Sequence, residues 1–428
     1  MDGAGEGARL AAGVSRVLLI SNGHGEDLSG ARLGRALRQR GVSVAALPLV
    51  GNGGAYRSAG LPVLGPTRDF STGGLGYTSW RGRLTELRQG QLAYLLRRFI
   101  TVWRHGRHCE WVVVVGDVVP VLAAWLIAKP MAVYLVAYSS HYEGRLRLPW
   151  PCGWLLRGGR VRLLWSRDAL TARDLTGQLG RPVEFVGNPF QEEGDEERQP
   201  PLPEGAGGPV LGLLPGSRLP EALANLLLML EVLRELPDRG RAGQRIVVAL
   251  VPSLTPEAIA LAAAPLGWSL HRPEESGAPT QLRRGALGLE LLYGRFWWVI
   301  RSSDLLLAMA GTAAEQAVGL GKPVLQVAGA GPQFTVGFAE AQRRLLGPAV
   351  SCAPGPAGAP STLGETARMA AAQLERLADP REGPRWRAQL RGIAMERLGQ
   401  PGGTERMVEA IMAKLDPLGA SPDASPSR

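Results

Sequence analysis

Gly311–Val324 reads GTAAEQAVGLGKPV, and an earlier turn at Leu213–Arg218 reads LLPGSR. Each puts small residues at the mouth of an expected strand, with a helix start just beyond. Ser303–Ala310, SDLLLAMA, reads as a buried strand. Gly311 and Thr312 then form a turn with Thr312 as N-cap, and Ala313–Gly319 opens a helix that ends by Gly321. Pro323–Val327 is the next strand. The start of a helix carries unpaired N–H groups and the positive end of its dipole, so it suits a phosphate. Glu315, one turn in, would repel a phosphate at contact distance but can accept two hydrogen bonds from a ribose diol. Together these features point to a nucleotide diphosphate. Close packing of a helix on a sheet would also select small residues, so each turn alone says little. Two of them in one α/β half say more.

Working outward, short apolar runs alternate with helical spacing along the whole chain. Val17–Ile20 runs into the glycine loop SNGHG, and a helical stretch follows over Asp27–Arg40. Val42–Leu47, Trp111–Val115, Met131–Val136, Val161–Trp165 and Val183–Val186 supply further strands. A second alternation starts at Val210–Leu214 and continues through Ile246–Val251, Trp268–Leu270, Leu305–Ala308, Val324–Val327 and Ala349–Ser351. This pattern predicts doubly wound parallel sheets. Residues 191–209, acidic and then rich in Pro and Gly, read as a linker between a first domain at 14–190 and a second at 210–375. Residues 376–415 read as helices, ahead of a disordered tail. Ligands of such sheets gather at the carboxyl ends of the strands, here in a central cleft.

With 428 residues, 45% of them hydrophobic, the chain is long enough for two cores. Its net charge is +10, carried almost entirely by Arg, since Lys occurs only at Lys129, Lys322 and Lys414. Such a balance fits an anionic partner: a membrane surface, nucleic acid or a phosphorylated substrate. No nucleic-acid-binding module motif is present, which excludes that class. Cys109, Cys152 and Cys352 are far apart and have no metal-ligand spacing with the histidines, so neither a metal nor a disulfide framework is expected. The first residues lack a signal-peptide pattern, and no apolar run reaches the length of a membrane span. A cytoplasmic protein is the expectation.

Both turns also carry a family resemblance. Leu214–Glu221, LPGSRLPE, matches the LPGSRxxE signature of the lipid-A-disaccharide synthases, and Ala310–Glu315, AGTAAE, is similar to their SGTAxLE. Val186–Pro189, VGNP, stands where they have VGHP. Asp27, Gly30 and Ala31 match their first loop, GExSGDxxGA, but Gly23 replaces its Glu. The segments SNGHGEDLSGARLG and GPQFTVGFAEAQRRLLG resemble a divergent, synthase-related branch. The resemblance runs from about Val14 to Gly347. It implies a GT-B fold, with the helices over 376–415 crossing back to the first domain, and a metal-independent, inverting glycosyltransferase with no cofactor beyond the UDP-sugar donor. It also implies a lipid or lipid-linked acceptor, met at the inner face of the cytoplasmic membrane.

On this reading Gly216, Ser217 and Arg218 bind the diphosphate, Arg218 by its planar, bidentate guanidinium. Gly311, Thr312, Ala313, Glu315 and Gln316 complete the nucleotide-sugar site, and Gln333 reaches a phosphate or the sugar. Inverting transfer needs a base for the acceptor hydroxyl. His24 sits between glycines after the first strand, as a His does in other GT-B enzymes with lipid acceptors. Asp27 is matched in the family, and Asp117 ends a buried strand where the family also has Asp. The plainer alternatives are a first-turn carboxylate for Asp27 and an N-cap for Asp117. His141, after another strand, is a weaker candidate. Arg and aromatic residues crowd Trp80–His108 and Tyr142–Trp165, suiting either a membrane interface or a solvated face over a packed core. Two other readings stay open: a UDP-sugar epimerase of the same fold, and a nucleotide-sugar-binding protein without transfer activity.

Overall fold

A computed structural model describes residues 16–65, 67, 91–191, 209–237, 244–273, 278–329 and 335–415. The expected linker lies almost wholly outside them, as do residues 80–90 of the first basic stretch and Gln333. The chain divides into two compact units. Phe190 ends the first and Leu398 the second, and the chain returns to the first from Gly399.

The first unit is built on a parallel sheet of β1 (Val17–Ser21), β2 (Val44–Pro48), β3 (Trp111–Val115), β4 (Met131–Leu135) and β5 (Val161–Ser166), in the order β2-β1-β3-β4-β5. The first four strands are buried along their whole length, because helices cover both faces. That explains why they read as unbroken apolar runs rather than alternating ones. Val183–Val186 contributes only a single bridge, Trp165 to Glu184, and no strand. The last helix, Gly403–Leu415, packs on the helix His24–Gln39 and puts Met407, Val408 and Ile411 into the core of this unit. Helix Glu382–Leu398 belongs to the second unit.

The second unit holds β6 (Val210–Leu214), β7 (Arg245–Leu250), β8 (Ser269–His271), β9 (Gln281–Arg284), β10 (Leu287–Tyr293), β11 (Leu305–Ala308), β12 (Val324–Gln326) and β13 (Val350–Cys352). Their order is β13-β12-β11-β6-β7-β10-β9-β8. Most pairs are parallel, but β8, β9 and β10 form an antiparallel edge that the sequence reading lacked. Gln281–Arg284 is too charged to announce a strand by itself.

Among the parallel strands, each sheet reverses its direction of growth at one point. In the first unit the reversal falls between β1 and β3, and in the second between β6 and β11. Open α/β sheets bind ligands at such switch points, beyond the carboxyl ends of the strands.

Candidate active site

The LPGSR turn leaves β6 and the GTAAE turn leaves β11, so both stand at the switch point of the second unit. They are neighbours: Met309 N–H donates to Leu214 O at 2.9 Å. A Cβ placed on Gly216, whose φ is +100°, would lie 3.5 Å from Met309 O. Asn225, itself buried, donates through Nδ2 to Pro215 O at 2.8 Å and pins the turn from the following helix. Ser217 and Arg218 are exposed, ahead of the helix Glu221–Arg234.

The second helix begins at Gly311, ahead of the expected Ala313. It spans Gly311–Gly319, its N-cap is Ala310, and no side chain caps it. Thr312 is therefore inside the helix and not its cap. An uncapped start leaves the first N–H groups of Gly311, Thr312 and Ala313 without intrahelical partners, which is the arrangement that receives a phosphate. Gly321, at φ +69°, ends the helix through its N–H to Val318 O at 2.8 Å. Glu315 and Gln316 are both buried, 6% and 5% exposed, so they lie deeper than a surface ligand would.

At the switch point of the first unit, Ser21 at the end of β1 pairs with Val115 at the end of β3. The residues that follow are thereby side by side. Asn22 donates through Nδ2 to both Asp117 carboxylate oxygens, each at 3.1 Å. Asp117 also caps the helix Val118–Trp125, accepting from Val119 N–H at 2.8 Å. Burial raises its carboxyl pKa above the ordinary value, against the pull of these hydrogen bonds. The Tyr138 hydroxyl, beyond β4, accepts from Val118 N–H at 3.1 Å and ties the next strand's exit to the same place.

His24 is the first residue of the helix His24–Gln39 and not part of a loop, and its side chain lies outside the described residues. Asp27 faces inward, 2% exposed. It accepts from Ser21 Oγ at 2.5 Å, and Ser21 Oγ in turn accepts from the Tyr56 hydroxyl at 2.7 Å. That chain braces the start of the helix against β1. Gly23, at φ +146°, leaves room for the Glu26 carboxylate, into which a Cβ there would run. His141 lies in the short helix Ser140–Glu143, its Nε2 3.7 Å from Asp168 Oδ1. Asp168 is already occupied by Ser139 Oγ at 2.7 Å and Thr171 N–H at 2.7 Å, which makes it a cap before anything else. Asn22 and Tyr138 were absent from the sequence reading. The β1–β3 register would have found Asn22, because it directly follows Ser21 as Gly116 follows Val115.

The basic and aromatic stretches divide on closer view. Arg98 is buried, donating to Leu64 O at 3.0 Å and to Pro48 O, and Trp165 is in the core. Phe99 packs against the core as well, and several other described residues face outward. Helices Gln91–Gly106, Val118–Trp125 and Cys152–Arg157 pack side by side. On the first, Leu96, Ile100 and Trp103 share the face set by spacings of four and three, and are 57%, 51% and 48% exposed. Trp154, 63% exposed, meets Trp125 with ring centroids 5.6 Å apart, and Trp150 is 91% exposed. Arg107 lies over the Trp103 ring at 5.2 Å and Arg160 over Trp125 at 4.8 Å. Arg97, Arg104, Arg145, Arg147, Arg157 and Arg162 are exposed as well. Among the described residues, no helix is long and apolar enough to cross a membrane, and no group of side chains could hold a metal ion.

No protein-family model and no curated protein matches the sequence. Solved structures do. The chain is similar to CalG4, the calicheamicin glycosyltransferase, with a TM-score of 0.56 at 17% identity, over 95% of this chain and 100% of that one. It is similar to a putative UDP-N-acetylglucosamine 2-epimerase from Listeria monocytogenes, with a TM-score of 0.52 at 15% identity, over 94% and 97%. The spinosyn rhamnosyltransferase SpnG, complexed with spinosyn aglycone, gives 0.52 at 16% identity, over 92% and 100%. None of the three is named as a lipid-A-disaccharide synthase, and at these identities the likeness is one of fold. The chain has the GT-B fold, two Rossmann-like α/β units of a kind found in glycosyltransferases and in nucleotide-sugar epimerases alike.

Proposed function

We propose that this protein is a glycosyltransferase that moves a sugar from a UDP-sugar to a lipid or lipid-linked acceptor, in the manner of the lipid-A-disaccharide synthases. One observation carries the donor half: the LPGSR turn and an uncapped helix start stand side by side at the switch point of the second unit. Backbone N–H groups of Gly311–Ala313 take the diphosphate, and Arg218 neutralises it as the leaving group. Glu315 takes the ribose. On the first unit Asp117 is the base, held by Asn22 at both oxygens. A carboxyl with a pKa raised toward neutrality is a stronger base than an ordinary Asp. His24 is the competing base and Asp27 supports the loop.

The outward face of Leu96, Ile100, Trp103, Trp150 and Trp154, rimmed by arginines, favours an anionic bilayer surface as the place where the acceptor is met. Exposed apolar side chains and cations on one surface suit acyl chains and head groups together. Co-sedimentation with vesicles containing phosphatidylglycerol should show binding that falls in about 0.5 M salt, since exposed charges are then screened. Trp150→Ala with Trp154→Ala should lower the partition by roughly tenfold. Equal binding to neutral and anionic vesicles, or none to either, removes the bilayer from the proposal.

The epimerase reading draws on the same fold and on the likeness to the Listeria protein. It requires the sugar of UDP-N-acetylglucosamine to change configuration with no acceptor present. Transfer requires UDP to appear only when an acceptor is added, and incubation of the purified protein with UDP-N-acetylglucosamine alone separates the two.

A further inference from the structure

A second unit element beyond the two turns points at the bare helix start. Gln342 lies on helix Val336–Leu346, on the stripe that also buries Ala339, Leu345 and Leu346. It is 5% exposed. Its amide lies against Gly311: a Cβ built there would be 3.5 Å from Nε2. Its Oε1 is buried and has no hydrogen-bond partner among the described residues. Keeping an amide oxygen dry and unpaired is unfavourable, and an apolar side chain on the same stripe would avoid that cost. The cost is recovered only when something arrives to donate.

A diphosphate cannot do so, because its oxygens accept. It satisfies the N–H groups of the helix start and leaves the amide oxygen as it was. A sugar hydroxyl does donate. We propose that Gln342 accepts a hydrogen bond from a hydroxyl of the transferred sugar of a nucleotide-sugar diphosphate whose phosphates sit at Gly311. Gln342 is then the residue that distinguishes the loaded donor from the spent UDP. Product leaves a site whose amide is again unpaired, which weakens UDP relative to UDP-sugar. This rests on the donor-site reading above.

The test is titration calorimetry of wild type, Gln342→Met and Arg218→Ala with UDP, UDP-N-acetylglucosamine and UDP-glucose. Met keeps the shape and removes the polar atoms. Gln342→Met should bind UDP within about twofold of wild type and lose about tenfold for the UDP-sugar that wild type binds more tightly. Without ligand it should melt about 2–4 °C higher, because the unpaired amide is gone. Unchanged affinity for both UDP-sugars overturns the proposal, provided Arg218→Ala loses UDP and so shows the donor site to be real. An equal loss for UDP also overturns it, since the amide would then serve the phosphates. Wild type that binds none of the three nucleotides overturns the donor reading itself, and this inference falls with it.

Discussion

Asp117→Asn should lose sugar transfer by roughly 100- to 10,000-fold, the usual cost of removing a general base, and should bind UDP as wild type does. Asn keeps the shape and the cap, and gives up one of the two Asn22 contacts because its Nδ2 cannot accept. It can accept from Val119 N–H and so keep the cap of helix Val118–Trp125. It cannot take the proton of an acceptor hydroxyl. The pH dependence gives a second signature. Burial raises the carboxyl pKa, so the base is lost to protonation at a higher pH than an ordinary Asp would be. The acid limb of the rate profile should sit above the ordinary Asp value and vanish in the variant. Stability moves the other way. A group whose folded pKa is raised contributes stability below its unfolded pKa, and loses it as pH rises through the folded one. Wild type therefore carries the strain of a buried charge at neutral pH. Asp117→Asn should gain in melting temperature over wild type at pH 7, with the gap closing toward pH 4. Release of UDP from UDP-N-acetylglucosamine or UDP-glucose with a lipid extract measures the rate. Activity above about a tenth of wild type in Asp117→Asn, lost in turn when His24→Ala is added, would move the role to His24.

Arg218→Ala should weaken UDP by about 1.5–3 kcal/mol, or roughly 10- to 150-fold, and Glu315→Gln by a comparable amount. The two act at different points of the ligand. Arg218 is exposed on the turn after β6, free to fold onto the diphosphate. Glu315 is buried one turn into the helix Gly311–Gly319, and is proposed to meet the ribose. Uridine, which lacks phosphates, should therefore feel Glu315→Gln and be indifferent to Arg218→Ala. Calorimetry with UDP and uridine reads both. If each variant binds UDP as tightly as wild type, these residues do not form the donor site.

The sequence disclosed the parallel strands because full burial removes polar residues from them, leaving runs such as Trp111–Val115 that need no periodicity to be seen. It disclosed the two turns because tight strand–helix junctions demand glycine, as at Gly216 with φ +100°. It disclosed β8, as Trp268–Leu270, but not β9, β10 or their antiparallel pairing, which is set by neighbours among partly charged residues. The helix start moved from Ala313 to Gly311 because backbone geometry made Ala310 the cap, although Thr has the better capping side chain. Arg98 looked like one more surface arginine, yet it is a buried donor to two carbonyls. Asp117 proved to be a helix cap, the plainer of its two readings, without losing its place beside Asn22. Gln342 carried a signal that went unread: a polar residue on the core stripe of an amphipathic helix, between Ala339 and Leu345.

The claim on which the rest depends is that the second unit binds a nucleoside diphosphate through its phosphates at the β6 and β11 exits. Titration of the wild-type protein with UDP, UMP and uridine tests it without knowledge of sugar or acceptor. Affinity should rise in the order uridine, UMP, UDP, with the β-phosphate adding about tenfold or more. Equal affinity for the three, or no binding of UDP, would contradict it.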